Sequence, residues 1–172
     1  MLNSHQKNVY KKLGIPLDYG FKRGLPFFFD EDKLVSVGLN LFGKPQKLSK
    51  PASISWNNLI ASAKNDNISL LMVSGYRSFN YQAQLIQKKL DKGMRIADIL
   101  KINAPPGFSE HHAGIAIDIA TIGVIPLIEN FDTSPAFMWL SENAADFKFS
   151  MPYTKGNSFG FIYEPWHWSY VE

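Results

Sequence analysis

The apolar positions of this chain change their period several times after residue 50, and each change predicts a different element. Apolar side chains recur at helical spacing after Pro51, which suits a first helical turn, so a helix is predicted over about 51–65. The uninterrupted apolar run 68–73 predicts a short buried strand. Ser78 is a suitable N-cap for a second helix over about 79–91.

The second half of the chain continues this mixture. A short helix is predicted over about 95–101, and the apolar run 115–120 predicts a strand. A further helix should begin at Ser134-Pro135, and the aromatic tail 159–171 should form a hairpin or paired strands. Helices and strands do not alternate strictly, and there is no glycine-rich phosphate loop. The pattern therefore predicts an α+β fold with a small, mainly antiparallel sheet flanked by helices.

The first fifty residues follow a different pattern. Glycine and proline interrupt residues 1–50 repeatedly, and the short apolar runs 27–29 and 34–41 indicate strands or an arm of low regularity. We expect 1–50 to be an N-terminal arm or extension packed on the domain, and 51–172 to form the domain itself.

Composition narrows the possible functions. A length of 172 residues fits one domain, and the net charge of +3, without a lysine or arginine run longer than two, does not favour nucleic-acid binding. The absence of cysteine excludes disulfides, thiolate zinc sites and cysteine nucleophiles. No apolar stretch approaches the length of a membrane span, and the first residues lack the apolar core of a secretion signal. Two cellular locations are therefore expected alternatives: the cytoplasm for a full-length chain, and the periplasm or cell envelope if a signal was trimmed.

One charge lies inside the predicted strand 115–120, and it points to a metal site. A carboxylate such as that of Asp118 must be paired, hydrogen-bonded or metal-bound if it is buried. His111 or His112 precedes this strand, and His167 could arrive from the carboxyl-terminal segment. Two imidazoles and one carboxylate would leave a fourth position open, as in catalytic zinc sites. Adjacent side chains of an extended segment point to opposite sides, so spacing does not choose between the two neighbouring histidines.

Three further residues could act at such a site. Glu164 could take a proton from a metal-activated water, although a surface glutamate before Pro165 is the simpler alternative. Trp166 could form a wall of the pocket. Arg77 follows a predicted buried strand, and its guanidinium could hold a carboxylate or a developing oxyanion; a salt bridge to one of the chain's acids is the alternative.

Taken together, these residues resemble the signature of the VanY-type D-alanyl-D-alanine carboxypeptidases, which are M15 zinc metallopeptidases. The resemblance spans about 51–171. The shared pattern comprises a segment around Arg77 and Gln82, a central motif, and a carboxyl-terminal motif: Ser74–Ser78 with Gln82; Ser109, His111, Gly114, Ala116 and Asp118; and Glu164, Trp166 and His167.

The resemblance implies a role for each position. It makes His111, Asp118 and His167 the ligands of one zinc ion, located at the sheet, with Glu164 as the catalytic base. It places Arg77, Gln82 and Ser109 where family members contact the terminal peptide of the substrate, and Arg77 could also hold the developing oxyanion.

The expected activity is removal of the carboxyl-terminal D-alanine from peptidoglycan stem peptides by a metal-activated water. D,D- and L,D-specificity both stay open, and a monomer is expected. Three alternatives remain: a D-alanyl-D-alanine dipeptidase, a peptidoglycan endopeptidase, and a zinc-bearing wall-binding module without catalytic activity.

Overall fold

The computed structural model describes residues 2–172. The helices and strands in this range, in chain order, are α1 Ser4–Leu13, α2 Tyr19–Lys22, β1 Leu34–Leu39, β2 Pro45–Ser49, α3 Lys50–Asn65, β3 Leu71–Ser74, α4 Phe79–Asp91, α5 Ile96–Ile102, β4 Ala116–Ala120, α6 Pro135–Asn143, β5 Phe149–Ser150 and β6 His167–Tyr170. None of the helices in residues 2–172 combines the length and the apolar character needed to cross a membrane.

The main sheet has the strand order β3-β4-β6-β5, and every pairing in it is antiparallel. The mixed, antiparallel architecture predicted from the sequence is confirmed. The segments β1 and β2 form a separate hairpin. Because β4 lies in the middle of the main sheet, with all five residues buried, side chains on both of its faces are removed from solvent.

The buried apolar side chains form two separate cores. The first joins the sheet to α3 and α6, and it includes Trp56, Leu59, Ile117, Leu140 and Trp168. The second joins the N-terminal helices to α4 and α5, and it includes Tyr10, Leu13, Ile86, Ile99 and Phe108. Side chains alternate along a strand, so the isoleucines of β4 face the first core while Asp118 points to the opposite face.

The predicted helices α3 and α4 are confirmed almost to the residue. Pro51 lies in the first turn of α3, and the Ser78 hydroxyl accepts a hydrogen bond from the Tyr81 N–H at the start of α4. The prediction for 159–171 was wrong in detail, since only His167–Tyr170 forms a strand there. That strand pairs with β4 and β5 rather than within a local hairpin.

The N-terminal segment contains a helix that the sequence analysis missed. Its signal was available: Asn3 and Gln6 form a reciprocal capping box at the start of α1, and Gly14 ends it in the left-handed conformation. Helix α1 packs against α4, and the Tyr10 hydroxyl donates to the Pro106 carbonyl at 2.7 Å. The run 27–29, for which a strand was one expectation, is irregular.

Gly114 lies in close contact with the end of the β1–β2 hairpin. Its φ is +64°, and a Cβ atom there would lie 2.7 Å from the backbone nitrogen of Ser49. That nitrogen donates to the Gly114 carbonyl at 2.9 Å, so the two segments are joined by their backbones. Neither backbone can move aside as a side chain could.

We therefore expect Gly114→Ala to lower the free energy of unfolding by about 2–4 kcal/mol, from left-handed strain and from the clash together. Gly14→Ala is the matched control, because Gly14 has a φ of +69° and a Cβ atom there would meet nothing within 4 Å. In the control, left-handed strain alone should lower the free energy of unfolding, by about 1–2 kcal/mol. Urea unfolding followed by tryptophan fluorescence measures both, and equal losses would contradict the backbone contact.

Candidate active site

The pairing of β4 with β6 brings two acid–base groups together. Asp118 lies directly opposite His167 in the antiparallel register, on the same face of the sheet. The His167 Nδ1 atom is 3.2 Å from Asp118 Oδ1, and both residues are 3% exposed. The sheet itself therefore fixes this pair.

His111 reaches the pair from a single 3₁₀ turn, Glu110–Ala113, which Gly114 ends. Its Nδ1 donates to the Gly75 carbonyl at 2.6 Å, so in the neutral ring the Nε2 lone pair is free. Nε2 lies 3.4 Å from Asp118 Oδ1 and is buried without a hydrogen-bond partner. Burial, with the nearby Arg77 charge, lowers the pKa of His111 to about 4, although Asp118 opposes this shift.

One ligand atom each from His111, Asp118 and His167 lies within 4.8 Å of the others. Two imidazole nitrogens and one carboxylate oxygen form a donor set that suits zinc, with room for a fourth ligand. The unpartnered Nε2 of His111 is the observation that favours a metal, because a buried polar atom otherwise carries a cost.

His112, the neighbour that spacing could not exclude, points away from this group. Its Nδ1 donates to the Arg77 carbonyl at 2.6 Å, and its Nε2 accepts from the Gly107 N–H at 2.9 Å. Both ring nitrogens are thus occupied by backbone groups. His112 orders the backbone around Arg77 and is not a candidate ligand.

Glu110 was not singled out from the sequence, yet it completes the surroundings of His167. Its Oε2 lies 2.8 Å from His167 Nε2, on the ring nitrogen that faces away from Asp118. Burial disfavours a charged His167 ring, but its hydrogen bonds to Asp118 and Glu110 outweigh this and raise its pKa to about 10. Such outer contacts hold an imidazole in the orientation that a metal requires.

Glu164 is largely buried beside the same histidine. Its Oε2 is 4.0 Å from His167 Nδ1, and 12% of its side chain is exposed. Burial raises the pKa of Glu164 to about 7, with the Asp118 charge acting in the same direction and His167 opposing. A carboxylate that exchanges its proton near neutral pH is well suited to general acid–base work.

Arg77 makes the salt bridge that was its simpler alternative. Its Nη1 donates to Asp118 Oδ2 at 2.9 Å, which leaves Oδ1 facing the imidazoles. Burial alone would raise the pKa of Asp118, but the charges of His111 and Arg77 hold it well below its usual range. Arg77 also lines the cleft beside Glu164, and its Nε has no hydrogen-bond partner.

The remaining predicted residues lie around this centre. Gln82 and Ser109 are buried and line a small chamber with Glu164 and His167. Tyr153, which the sequence analysis missed, lines the same chamber, with its ring centroid 4.6 Å from that of His167. Trp166 and Glu164 face an adjoining compartment of about 210 Å³. Beyond Arg77 the cleft opens into a groove of about 590 Å³.

Comparison with known proteins identifies the family to which this chain belongs. Residues 45–172 match the family model VanY, D-alanyl-D-alanine carboxypeptidase. The chain belongs to the VanY family. Its relatives include YodJ of Bacillus subtilis (strain 168), 33% identical over 155 residues, and a D-alanyl-D-alanine carboxypeptidase of Enterococcus faecium, 28% identical over 143 residues. The alignments cover 86% and 81% of this chain but 56% and 42% of those proteins, so it spans about half their length.

Solved structures of VanY-like enzymes share the fold. The LdcB LD-carboxypeptidase is 29% identical, with a TM-score of 0.73 over 85% of this chain and 71% of that one. VanYB in complex with D-alanine-D-alanine is 27% identical, with a TM-score of 0.65 over 83% and 78%. A glutamate-to-alanine mutant of the D,D-pentapeptidase VanY, in complex with Zn(II), is also 27% identical, with a TM-score of 0.64 over 83% and 80%.

The ligand assignment in this VanY-family chain can be tested by metal titration. We expect the metal-free protein to bind about one zinc per chain, and His111→Ala to weaken binding by more than about 100-fold, beyond the loss typical of outer contacts. His5→Ala is the control, because His5 is exposed and lies outside the site. Isothermal titration calorimetry measures both, and unchanged affinity in His111→Ala would remove this residue from the ligand set.

Metal binding should also displace a proton from His167. Because the pKa of this ring is about 10 in the metal-free chain, it is protonated at pH 7 and must lose a proton to coordinate a metal. Since the pKa of His111 is about 4, that ring releases none. Zinc affinity should therefore rise with pH between 6 and 9.

We expect release of about one proton per zinc at pH 7 in Glu164→Gln, a variant that removes the partly protonated Glu164. Calorimetry in two buffers of different ionisation enthalpy measures this number. A value near zero would mean that His167 is already neutral in the metal-free protein.

Proposed function

We propose that this chain is a zinc-dependent carboxypeptidase that removes the carboxyl-terminal D-alanine from peptidoglycan stem peptides. The observation that carries the proposal is the buried group of His111, Asp118 and His167 with Glu164 beside it, within a chain of the VanY family. The names of its relatives and structural neighbours support the substrate class.

The metal site is proposed from the donor set. His111 Nε2, Asp118 Oδ1 and His167 Nδ1 would hold the ion, because these atoms converge and the first has no other partner. Zinc bound there would act as a Lewis acid, lowering the pKa of water and polarising the scissile carbonyl. Gly75 and Glu110 hold the other nitrogens of the two imidazoles, so both rings are fixed before a metal arrives.

The chain's own residues supply the proton transfers. Glu164 takes a proton from the attacking water and delivers it to the departing amine of D-alanine, acting first as base and then as acid. Burial raises the pKa of Glu164 to about 7, so this residue can both accept and donate a proton at pH 7. Arg77 orients Asp118 through Oδ2 and faces the cleft where negative charge would develop on the carbonyl oxygen.

The shape of the cleft is compatible with an enzyme that acts at a chain end. The chamber bounded by Gln82, Ser109 and Tyr153 has a volume of only about 20 Å³, whereas the groove beyond Arg77 has a volume of about 590 Å³. A peptide could extend along the groove with its last residue at the reacting centre. The lack of space at one side favours the release of a terminal residue over cleavage within a long strand.

The test of this function is product analysis together with metal content. The zinc-loaded chain should release one D-alanine from a pentapeptide stem ending in D-alanyl-D-alanine, and a chelator should abolish release. Release from the tetrapeptide instead would assign L,D-specificity, as in LdcB. Cleavage of free D-alanyl-D-alanine alone would assign a dipeptidase, and binding without any product would contradict an enzymatic role.

The role of Glu164 can be tested separately. We expect Glu164→Gln to lower kcat by about 10²–10⁴-fold, the usual contribution of a positioned acid–base group, while one zinc stays bound. Glu142→Gln, at an exposed position, is the matched control and should leave kcat unchanged. Steady-state kinetics with parallel zinc analysis checks both. Wild-type turnover in Glu164→Gln would assign the proton transfers to another group.

A further inference from the structure

A lysine lines the cleft where the proposed mechanism has no task for it. The compartment of about 210 Å³ next to the reacting centre is lined by two acids, Glu164 and Asp118, and by two cations, Arg77 and Lys89. Its apolar wall includes Ile102, Ile162 and Trp166. Lys89 projects from α4, the helix that also carries Gln82. It is half-buried, whereas the neighbouring Lys88 is exposed.

The ammonium group of Lys89 makes no close ion pair within the protein. Within residues 2–172, no carboxylate oxygen lies within 4.0 Å of its ammonium group, although other cations of the chain do have such partners. Arg77, the other cation of this compartment, already donates to Asp118. Burial lowers the pKa of Lys89, with the Arg77 charge adding to the effect and Glu164 opposing it.

An unpaired ammonium group beside an apolar wall loses hydration without gaining a partner. A carboxylate that entered this compartment would restore the lost interaction through a charge-assisted hydrogen bond. The compartment adjoins Glu164, so a peptide positioned for reaction would pass directly beside it.

We propose that Lys89 binds a carboxylate group of the peptide substrate in this compartment. The inference rests on the proposed peptidase function, which it deepens by naming a specificity-determining residue. The carboxylate has two possible sources in a stem peptide: the carboxyl terminus itself, or the side chain of a diaminopimelate residue at the third position. Lysine at that position lacks this side-chain carboxylate but keeps the ammonium group.

Three peptides separate the two sources. The reference is a pentapeptide with D-isoglutamine at position two, diaminopimelate at position three and a free carboxyl terminus. The second peptide has lysine at position three, and the third has a carboxyl-terminal amide. Dissociation constants are measured by calorimetry in a Glu164→Gln background, where turnover is suppressed. Lys89→Met is compared with Lys88→Met, the same change at the adjacent exposed residue.

We expect Lys89→Met to weaken binding of the reference peptide by about 10- to 100-fold, the range for a hydrogen bond between charged groups. Lys88→Met should change it by less than about twofold, as is usual for a solvated surface charge. If the side chain supplies the carboxylate, Lys89→Met should have no effect on the lysine peptide. If the carboxyl terminus supplies it, Lys89→Met should have no effect on the binding of the amide peptide.

Two results would overturn the inference: no effect of Lys89→Met on any peptide, or the same loss for all three. The second would mean that Lys89 acts only through the charge of the site as a whole. A failure of the proposed function looks different. In that case the chain with Glu164 intact would release no D-alanine, while the dependence of binding on Lys89 would persist.

Discussion

The buried carboxylate of Asp118 is the constraint on which the rest of the site depends. An isolated carboxylate would not remain ionised at 3% exposure, because burial strongly favours its neutral form. Arg77 occupies one of its oxygens, and two imidazoles face the other. Each of these partners in turn needs support. His112 donates a hydrogen bond to the Arg77 carbonyl, and the Gly75 carbonyl accepts one from His111. The burial of Asp118 therefore accounts for a connected set of polar contacts around it.

The segment before residue 50 takes part in these polar contacts, as the main sheet does. Gln46 accepts a hydrogen bond from the Gly75 N–H at 2.8 Å, and the Lys47 carbonyl accepts from Tyr76 at 2.9 Å. The β1–β2 hairpin therefore fixes the short segment whose Gly75 carbonyl orients His111. We propose that the N-terminal segment is a structural part of the active site, rather than an extension that can be removed without effect.

Local signals in the sequence predicted α3 and α4, although α1, whose capping box is equally local, was not predicted. The caps and apolar spacing of α3 and α4 are encoded within a few residues, and those helices were predicted closely. Long-range contacts were not predictable in this way. Glu110 contacts His167, which lies 57 positions further along the chain. The partners of β6 depend on the packing of the whole sheet. The proposed ligands came from resemblance to a family, since spacing alone could not choose between His111 and His112.

The alternation along β4 has a consequence for how this protein can change over time. Ile117 and Ile119 build the first core, while Asp118 between them serves the site on the other face. A shift of one residue in the pairing would exchange these faces, placing a charge in the core and an isoleucine side chain among the histidines. An insertion or deletion within this strand would therefore disturb the core and the candidate site at once. Changes in chain length are better tolerated in the loops that border the cleft.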